Sequence, residues 1–393
     1  MSGVILTINS GSSSVKFAVY AVDNPDAPAL ITGKITGIGG TPAFAARDPA
    51  GTALEPGTFA KLDPAIDQTR VVALLLPWVQ AHLGDDAVQS VGHRVVHGGQ
   101  HFDGPMRVTD DILQQLEALS PLAPLHQPSN LAAIRAVAQW QPDLPQIACF
   151  DTSFHRSQPR LSQLFALPRA LSNEGIRRYG FHGLSYEYIA STLPLHLDTS
   201  TQRRVVVAHL GNGSSICAMK DLKSVSTSMG FTALDGLMMG RRCGTLDPGV
   251  VLYLMQAKGM TAPDIEDLLY RQSGLLGVSG ISNNMQELLN SDHPNAREAV
   301  DLYCARAARV LSGLLPAIGG LDALVFTAGI GENAAEVRAQ ICTHLGWLGV
   351  EIDAQSNAAH AAVISPQSSD VQVLVIPTDE EAIVARACRS LAG

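Results

Sequence analysis

Thr7-Ile8-Asn9-Ser10-Gly11-Ser12-Ser13-Ser14-Val15-Lys16 decides how this chain is read, because its pattern returns about two hundred residues later. The second occurrence is Ala208-His209-Leu210-Gly211-Asn212-Gly213-Ser214-Ser215-Ile216. Each stretch reads as strand, tight turn and strand, with β-branched flanks and Gly where the backbone turns or must come close to a ligand. Such turns present N–H groups and hydroxyls to phosphate oxygens. Two of them, one per half of a duplicated chain, predict an ATP cleft between two lobes.

Around these turns the pattern alternates. Strands are expected at 4–8, 15–20, 30–38, 91–96 and 146–150, with a loop or irregular hairpin at 39–57. Helical spacing covers 67–83 and 110–119, the latter with Asp110 as N-cap. The second half repeats the order, with strands at 205–210, 214–219, 224–227, 324–327 and 371–376 and a closing helix at 379–391. The fold class is therefore α/β, two duplicated lobes of mixed sheets flanked by helices. The expected boundary falls after Asp151: residues 1–151, completed by 379–393, form one lobe and 152–378 the other.

With 393 residues, 46% of them hydrophobic, the chain is long enough for more than one core. No apolar stretch approaches the roughly 18 residues of a membrane helix. Met1 to Leu6 carries no basic leader, so no signal peptide is expected. The six cysteines include no Cys-x-x-Cys pair and read as reduced thiols of a cytoplasmic protein. A net charge of −9 without a basic run argues against nucleic-acid binding. An acidic protein that handles anions needs local cations, which directs attention to single arginines.

No Gly-x-x-x-x-Gly-Lys-Ser/Thr occurs, and Gly329-Ile330-Gly331 lacks the third Gly of a dinucleotide fingerprint. What remains is a strand at 324–327 running into Gly329-Ile330-Gly331-Glu332-Asn333 and a helix, a junction where adenosine can lie against backbone. His93, His97 and His101 fall at helical spacing, but Gly98-Gly99 breaks any helix there, so no zinc site is expected.

The two turns, Gly92-His93-Arg94-Val95-Val96-His97-Gly98-Gly99, Leu122 to His126, Phe150 to His155, Arg178 to Gly183, Arg242-Cys243-Gly244, Gly329 to Asn333 and Pro377 to Glu381 together resemble the acetate kinase family. That family belongs to the superfamily of acetate and sugar kinases, heat-shock chaperones and actin. The resemblance runs end to end and implies lobes of the ribonuclease H-like, actin-like ATPase fold. It also implies reversible, Mg²⁺- or Mn²⁺-dependent phosphoryl transfer from ATP to acetate, and a homodimer. Propionate kinase is the near alternative. A non-enzymatic actin- or chaperone-like nucleotide-binding protein is the distant one, and it leaves Arg94, Arg242 and His182 unexplained.

The resemblance also implies roles. An acetate carboxylate is already ionised at neutral pH, so the barrier is the meeting of two anions, and cations and positioning must lower it. Arg94 and Arg242 match the essential arginines, His182 the transition-state histidine, and Asp151 the active-site acid, here expected to orient an arginine or a metal-bound water. Asn9 and Glu380 match the metal-associated positions. Ser12, Ser14 and Lys16, with His209, Leu210, Gly211, Asn212 and Gly213, should face phosphates. Asn284, Met285 and Gln286 should join Gly329, Ile330, Gly331, Glu332 and Asn333 around adenosine. Val96, Leu125, Phe181 and Ala233 form the expected acyl pocket. His126 and His155 are read as structural, and Arg241 as a solvated neighbour of Arg242.

Three positions depart from the family pattern. Arg241 stands where Thr is common, Thr245 where an acid is common, and Ala233 where Pro is common. Asn284-Met285-Gln286 replaces Asp-x-Arg, removing both charges beside the expected nucleotide.

Overall fold

The chain is described by a computed structural model covering residues 3–11, 13–25, 27–124, 126–198, 200–201 and 203–392. Its contacts divide it into two compact units, Met1–Phe154 with Asp379–Gly393, and His155–Thr378.

In the first unit, strands β1 (Gly3–Ser10), β2 (Ser14–Ala21), β3 (Ile31–Thr36), β4 (Ala43–Arg47), β5 (Ala87–Val95), β6 (Met106–Arg107) and β7 (Gln146–Phe150) form one sheet. Its order is β4-β3-β2-β1-β5-β7-β6. The first four strands meander antiparallel, whereas β5 joins β1, and β7 joins β5, in parallel. Alternation along β1 sends Val4, Leu6 and Ile8 into a core shared with Leu75, Leu76, Ala133 and Val137 of helices Gln68–His82 and Gln127–Trp140. Thr7 and Asn9 therefore belong to the opposite face, which helix Glu380–Leu391 covers. That helix comes so close that a Cβ on Gly92 would lie 2.3 Å from Val384 and 2.7 Å from the Cys388 sulfur.

β4 lies within the stretch expected to be a loop or irregular hairpin, and it pairs antiparallel with β3. Gly and Pro on both sides hide the alternation of Phe44 and Ala46, and tertiary packing supplies what the local pattern lacks. Phe44 stacks on Phe59 at 4.5 Å between ring centres, and Trp78 meets it edge-on at 5.0 Å. At the helix expected from residue 110, the N-cap is Thr109 rather than Asp110. The Thr109 hydroxyl accepts from the Ile112 N–H at 3.3 Å, and Asp110 occupies the first helical position.

The second unit holds β8 (Arg204–Leu210), β9 (Ser214–Lys220), β10 (Lys223–Thr227), β11 (Ala323–Thr327) and β12 (Gln372–Val375) in the order β10-β9-β8-β11-β12. The pairing is antiparallel, antiparallel, parallel, parallel, the same sequence of senses as β3-β2-β1-β5-β7. This is the duplication that the repeated turns predicted. Val206, Ala208 and Leu210 pack with Leu324, Phe326 and the buried face of helix Pro294–Leu314. Val207 and His209 point the other way, toward helix Gly183–Thr192. Five of the six cysteines are buried, and burial pushes the thiols of Cys217, Cys304, Cys342 and Cys388 up to about 12, so they stay protonated.

Candidate active site

The first unit gathers charge at the ends of its parallel strands. Arg94, near the end of β5, donates from Nε and Nη2 to the two carboxylate oxygens of Asp151 at 2.9 and 2.6 Å. Its Nη1 lies 3.1 Å from Oε2 of Glu380. Asp151 follows β7, the strand beside β5, and Glu380 opens the closing helix, so the topology itself brings the three together. Burial works against the arginine charge, but Asp151, then Glu380 and Glu381, outweigh it and hold the guanidinium protonated. Glu381 is pushed up by burial and by its neighbour Glu380.

Thr7, Ile8, Asn9, Arg94, Glu380, Glu381 and Val384 line a cavity of only about 10 Å³, about enough for a single water. Asn9 pairs across the hairpin with Lys16, which is exposed. The turn between β1 and β2 is closed by the Gly11 N–H donating to the Ser14 carbonyl at 2.7 Å. Ser12 and Leu125 lie outside the described residues.

Beyond β5 the backbone is held by amide side chains that the sequence reading did not single out. Asn130 Oδ1 accepts from the Val96 N–H at 2.9 Å, and its Nδ2 donates to the Ser10 carbonyl at 2.6 Å. Gln127 accepts from the His97 N–H and donates to the carbonyls of His97 and Leu116. Both amides are buried.

In the second unit His182 takes a left-handed backbone conformation (φ 58°) before helix Gly183–Thr192. Its ring stacks on His209 at 4.2 Å, and its Nδ1 shares a 2.8 Å hydrogen bond with the Ser215 hydroxyl. His209 is in turn bonded to the Ser185 hydroxyl at 2.8 Å. The turn at Gly211 to Gly213 is tied to helix Pro294–Leu314 through Ser214, whose hydroxyl donates to the Gly211 carbonyl and meets the Tyr303 hydroxyl at 3.0 Å.

Arg242 and His182 close on Gly213. A Cβ built there would lie 2.7 Å from Arg242 Nη2 and 3.3 Å from His182 Nε2, so a side chain at this position would push the cation aside. Arg242 donates from Nη1 to the Ala233 carbonyl at 2.6 Å. Among the described residues no carboxylate pairs with it, and burial lowers its affinity for the proton. Arg241 is exposed, and Thr245 donates to Asp235 at 2.7 Å.

A cavity of about 320 Å³ opens between Gly211-Asn212, Asn283 to Gln286 and the segment Gly329, Ile330, Asn333 and Ala334. Among the described residues no charged side chain lines it. Gly331 and Glu332, expected around adenosine, are not among its walls: Gly331 is buried, and Glu332 accepts from the N–H groups of Ala328 and Thr378 at 2.8 and 3.2 Å. The fully buried Arg338, also missed in the sequence, holds this loop from below by donating to the Gly331 and Glu332 carbonyls. Of the acyl-pocket residues, Phe181 is buried, and Val96 and Ala233 are half-buried. His155 is satisfied by Ser224 at 2.9 Å and the Phe181 carbonyl at 3.0 Å, a structural arrangement.

The sheet order repeated in both units, with a Gly-rich turn at the head of each, is that of the actin-like ATPase folds, here in an enzyme of phosphoryl transfer. The comparisons narrow the class. The model of the acetokinase family matches residues 4–386. The chain is 53% identical to an acetate kinase of Rhodopseudomonas palustris, over 98% of each sequence. Among solved structures it superposes on a propionate kinase from Francisella tularensis with a TM-score of 0.88, at 37% identity over 98% of both chains. It superposes on Porphyromonas gingivalis acetate kinase with a TM-score of 0.86, at 34% identity over the whole of both. The chain belongs to the acetokinase family.

Proposed function

We propose that the chain transfers a phosphoryl group reversibly between ATP and acetate, giving ADP and acetyl phosphate. The observation that carries this reading is the contrast between its two arginines. Arg94 is held in place by Asp151 and Glu380, whereas Arg242 keeps a full, partly desolvated charge beside the Gly213 turn. In this reading Asp151 orients Arg94 rather than taking a proton, since the nucleophile carries none to give. Arg94 pairs with the substrate carboxylate and Arg242 with the equatorial oxygens of the moving phosphoryl group. His182, fixed through Nδ1 by Ser215, leaves Nε2 facing Gly213, where it can donate to the same oxygens. The 320 Å³ cavity suits an adenosine held by amides and backbone alone.

Asn9 and Glu380 would hold Mg²⁺, and the donor set fits. Both are hard oxygen donors lining one small cavity with Glu381. Among the described residues no group of three or more His, Cys, Asp or Glu is placed to hold a metal ion. When bound, the ion supplies charge neutralisation to the phosphates.

Val96, Leu125, Phe181 and Ala233 select the acyl chain. One methylene is worth about 1–3 kcal/mol in such a pocket, so acetate should exceed propionate roughly tenfold or more in kcat/KM, as read by hydroxamate capture of the acyl phosphate. A higher value for propionate would refute the pocket assignment. A cytoplasmic homodimer completes the proposal. Its support is helix Pro248–Gln256, an apolar helix with no buried residue, on which Leu252 and Tyr253 are 53% and 55% exposed. Sedimentation of Leu252→Asp as a monomer would support that face; an unchanged dimer would dismiss it.

A further inference from the structure

We infer that Asn130 is a positioning residue for phosphoryl transfer, setting the spacing between the phosphate turn and the acyl pocket. The inference rests on the phosphate-facing role that the family resemblance implies for Ser12, Ser14 and Lys16, and on the role proposed above for Val96. Asn130 stands on helix Gln127–Trp140, which packs against both β1 and β5, and its side chain is almost completely buried. One amide spans the exits of two adjacent parallel strands. Its oxygen takes the Val96 N–H, the first backbone group beyond β5, and its nitrogen gives to the carbonyl of Ser10, the last residue of β1. The orientation is unambiguous, because an N–H needs the oxygen and a carbonyl needs the NH₂.

The ladder between β1 and β5 ends before these residues, although Ser10 still faces Val15 of β2 on its other side. The β1–β5 register runs only to the pair Ile8 and His93. The amide replaces the missing rung. It joins the segment that approaches the phosphates to the one that approaches the carboxylate, without touching either substrate. A bridge of this kind acts on alignment of the reacting atoms, where a misplacement of about 1 Å can cost a hundredfold in rate. Each substrate keeps its own contacts, so binding changes little.

The test compares Asn130→Ala, which removes both bonds, and Asn130→Asp, which keeps the volume and the acceptor for Val96 but turns an acceptor toward the Ser10 carbonyl. The control is Val137→Ala, a fully buried position on the same helix that loosens packing without touching either exit. Steady-state hydroxamate assays and melting temperatures are measured on all four proteins. The expected result is a kcat at least tenfold lower in both Asn130 variants, with KM for acetate and for ATP within threefold of wild type. Val137→Ala should lose melting temperature yet keep kcat within twofold. Wild-type kcat in either Asn130 variant overturns the inference. So does an equal kcat loss in Val137→Ala, which would mark general loosening, or a failure of both Asn130 variants to fold. Absence of acyl phosphate from the wild-type protein would instead strike the functional reading itself.

Discussion

Replacing Arg94 or Arg242 by Ala should silence the enzyme in both cases but destabilise it in only one. Arg94→Ala leaves Asp151 and Glu380, whose side chains are 2% and 12% exposed, without their cation. Removing one partner of a buried pair costs about 3–5 kcal/mol, because the remaining charge stays desolvated. At roughly 2–4 °C per kcal/mol for a unit of this size, the melting temperature should fall by about 6–20 °C. Arg242→Ala removes a charge that burial already opposes and that no carboxylate among the described residues balances. Its lost bond to the Ala233 carbonyl is offset by the relief of desolvation, so stability should change by about 1 kcal/mol at most. Activity should behave otherwise. An arginine that stabilises a transferring phosphoryl group is worth about 10³–10⁵ in kcat, and Arg242→Ala should lose that much. Adding Asp151→Asn to Arg94→Ala should restore most of the lost stability and none of the activity. Differential scanning calorimetry and the hydroxamate assay on the four proteins separate these terms. Equal destabilisation by Arg242→Ala, or recovery of activity in the double variant, would refute the reasoning.

Acid should unfold the chain through its neutral histidines. His93, His97 and His155 are lowered by burial to about 4, against 6.5 for the free side chain. The unfolded chain therefore takes up protons first. Stability is complete above about pH 6.5 and falls toward pH 4, by up to about 1.4 kcal/mol per pH unit for each histidine. A melting temperature flat between pH 7 and pH 5 would contradict this. At the nucleotide cavity, Gly329 has open space around an added Cβ. Gly329→Phe should fold normally and raise KM for ATP about tenfold while leaving KM for acetate unchanged; equal effects on both would place adenosine elsewhere.

The parts of the fold that sequence pattern carries are those with local punctuation. Gly and Ser between β-branched runs mark the turns at 11–13 and 211–213, and a pattern seen twice makes the duplicated sheet order legible. β4 is legible only as one of two alternatives, loop or irregular hairpin, because what holds it, the Phe44, Phe59 and Trp78 cluster, joins residues far apart in sequence. The N-cap at Thr109 is obscured by two aspartates that follow it, equally good candidates by residue type. Around the site the invisible residues share one property: each satisfies backbone groups of a loop or strand exit. Gln127 and Asn130 sit in the first turn of a helix that carries other polar residues too, and nothing in the sequence says which peptides they satisfy. Arg338 is harder still. Its guanidinium is buried with carbonyls and an amide as partners, so no acid of matching spacing betrays it.

Duplication explains why the two units differ in chemistry at the same place. Superposing the turns on Gly11 and Gly211 sets Asn9 level with His209. In the first unit the parallel neighbour of β1 brings Arg94 just past the Ile8–His93 pair. In the second, the parallel neighbour of β8 pairs Thr327 with His209 and runs straight into Ala328, left-handed at φ 65°, and Gly329. One scaffold thus presents a cation clamped by two acids at a strand exit, and at the equivalent exit a bend at Ala328-Gly329, its backbone held by Glu332, that opens onto the cavity. Phosphoryl transfer between anions needs both: fixed positive charge where the oxygens meet, and a neutral wall where a flat base must lie.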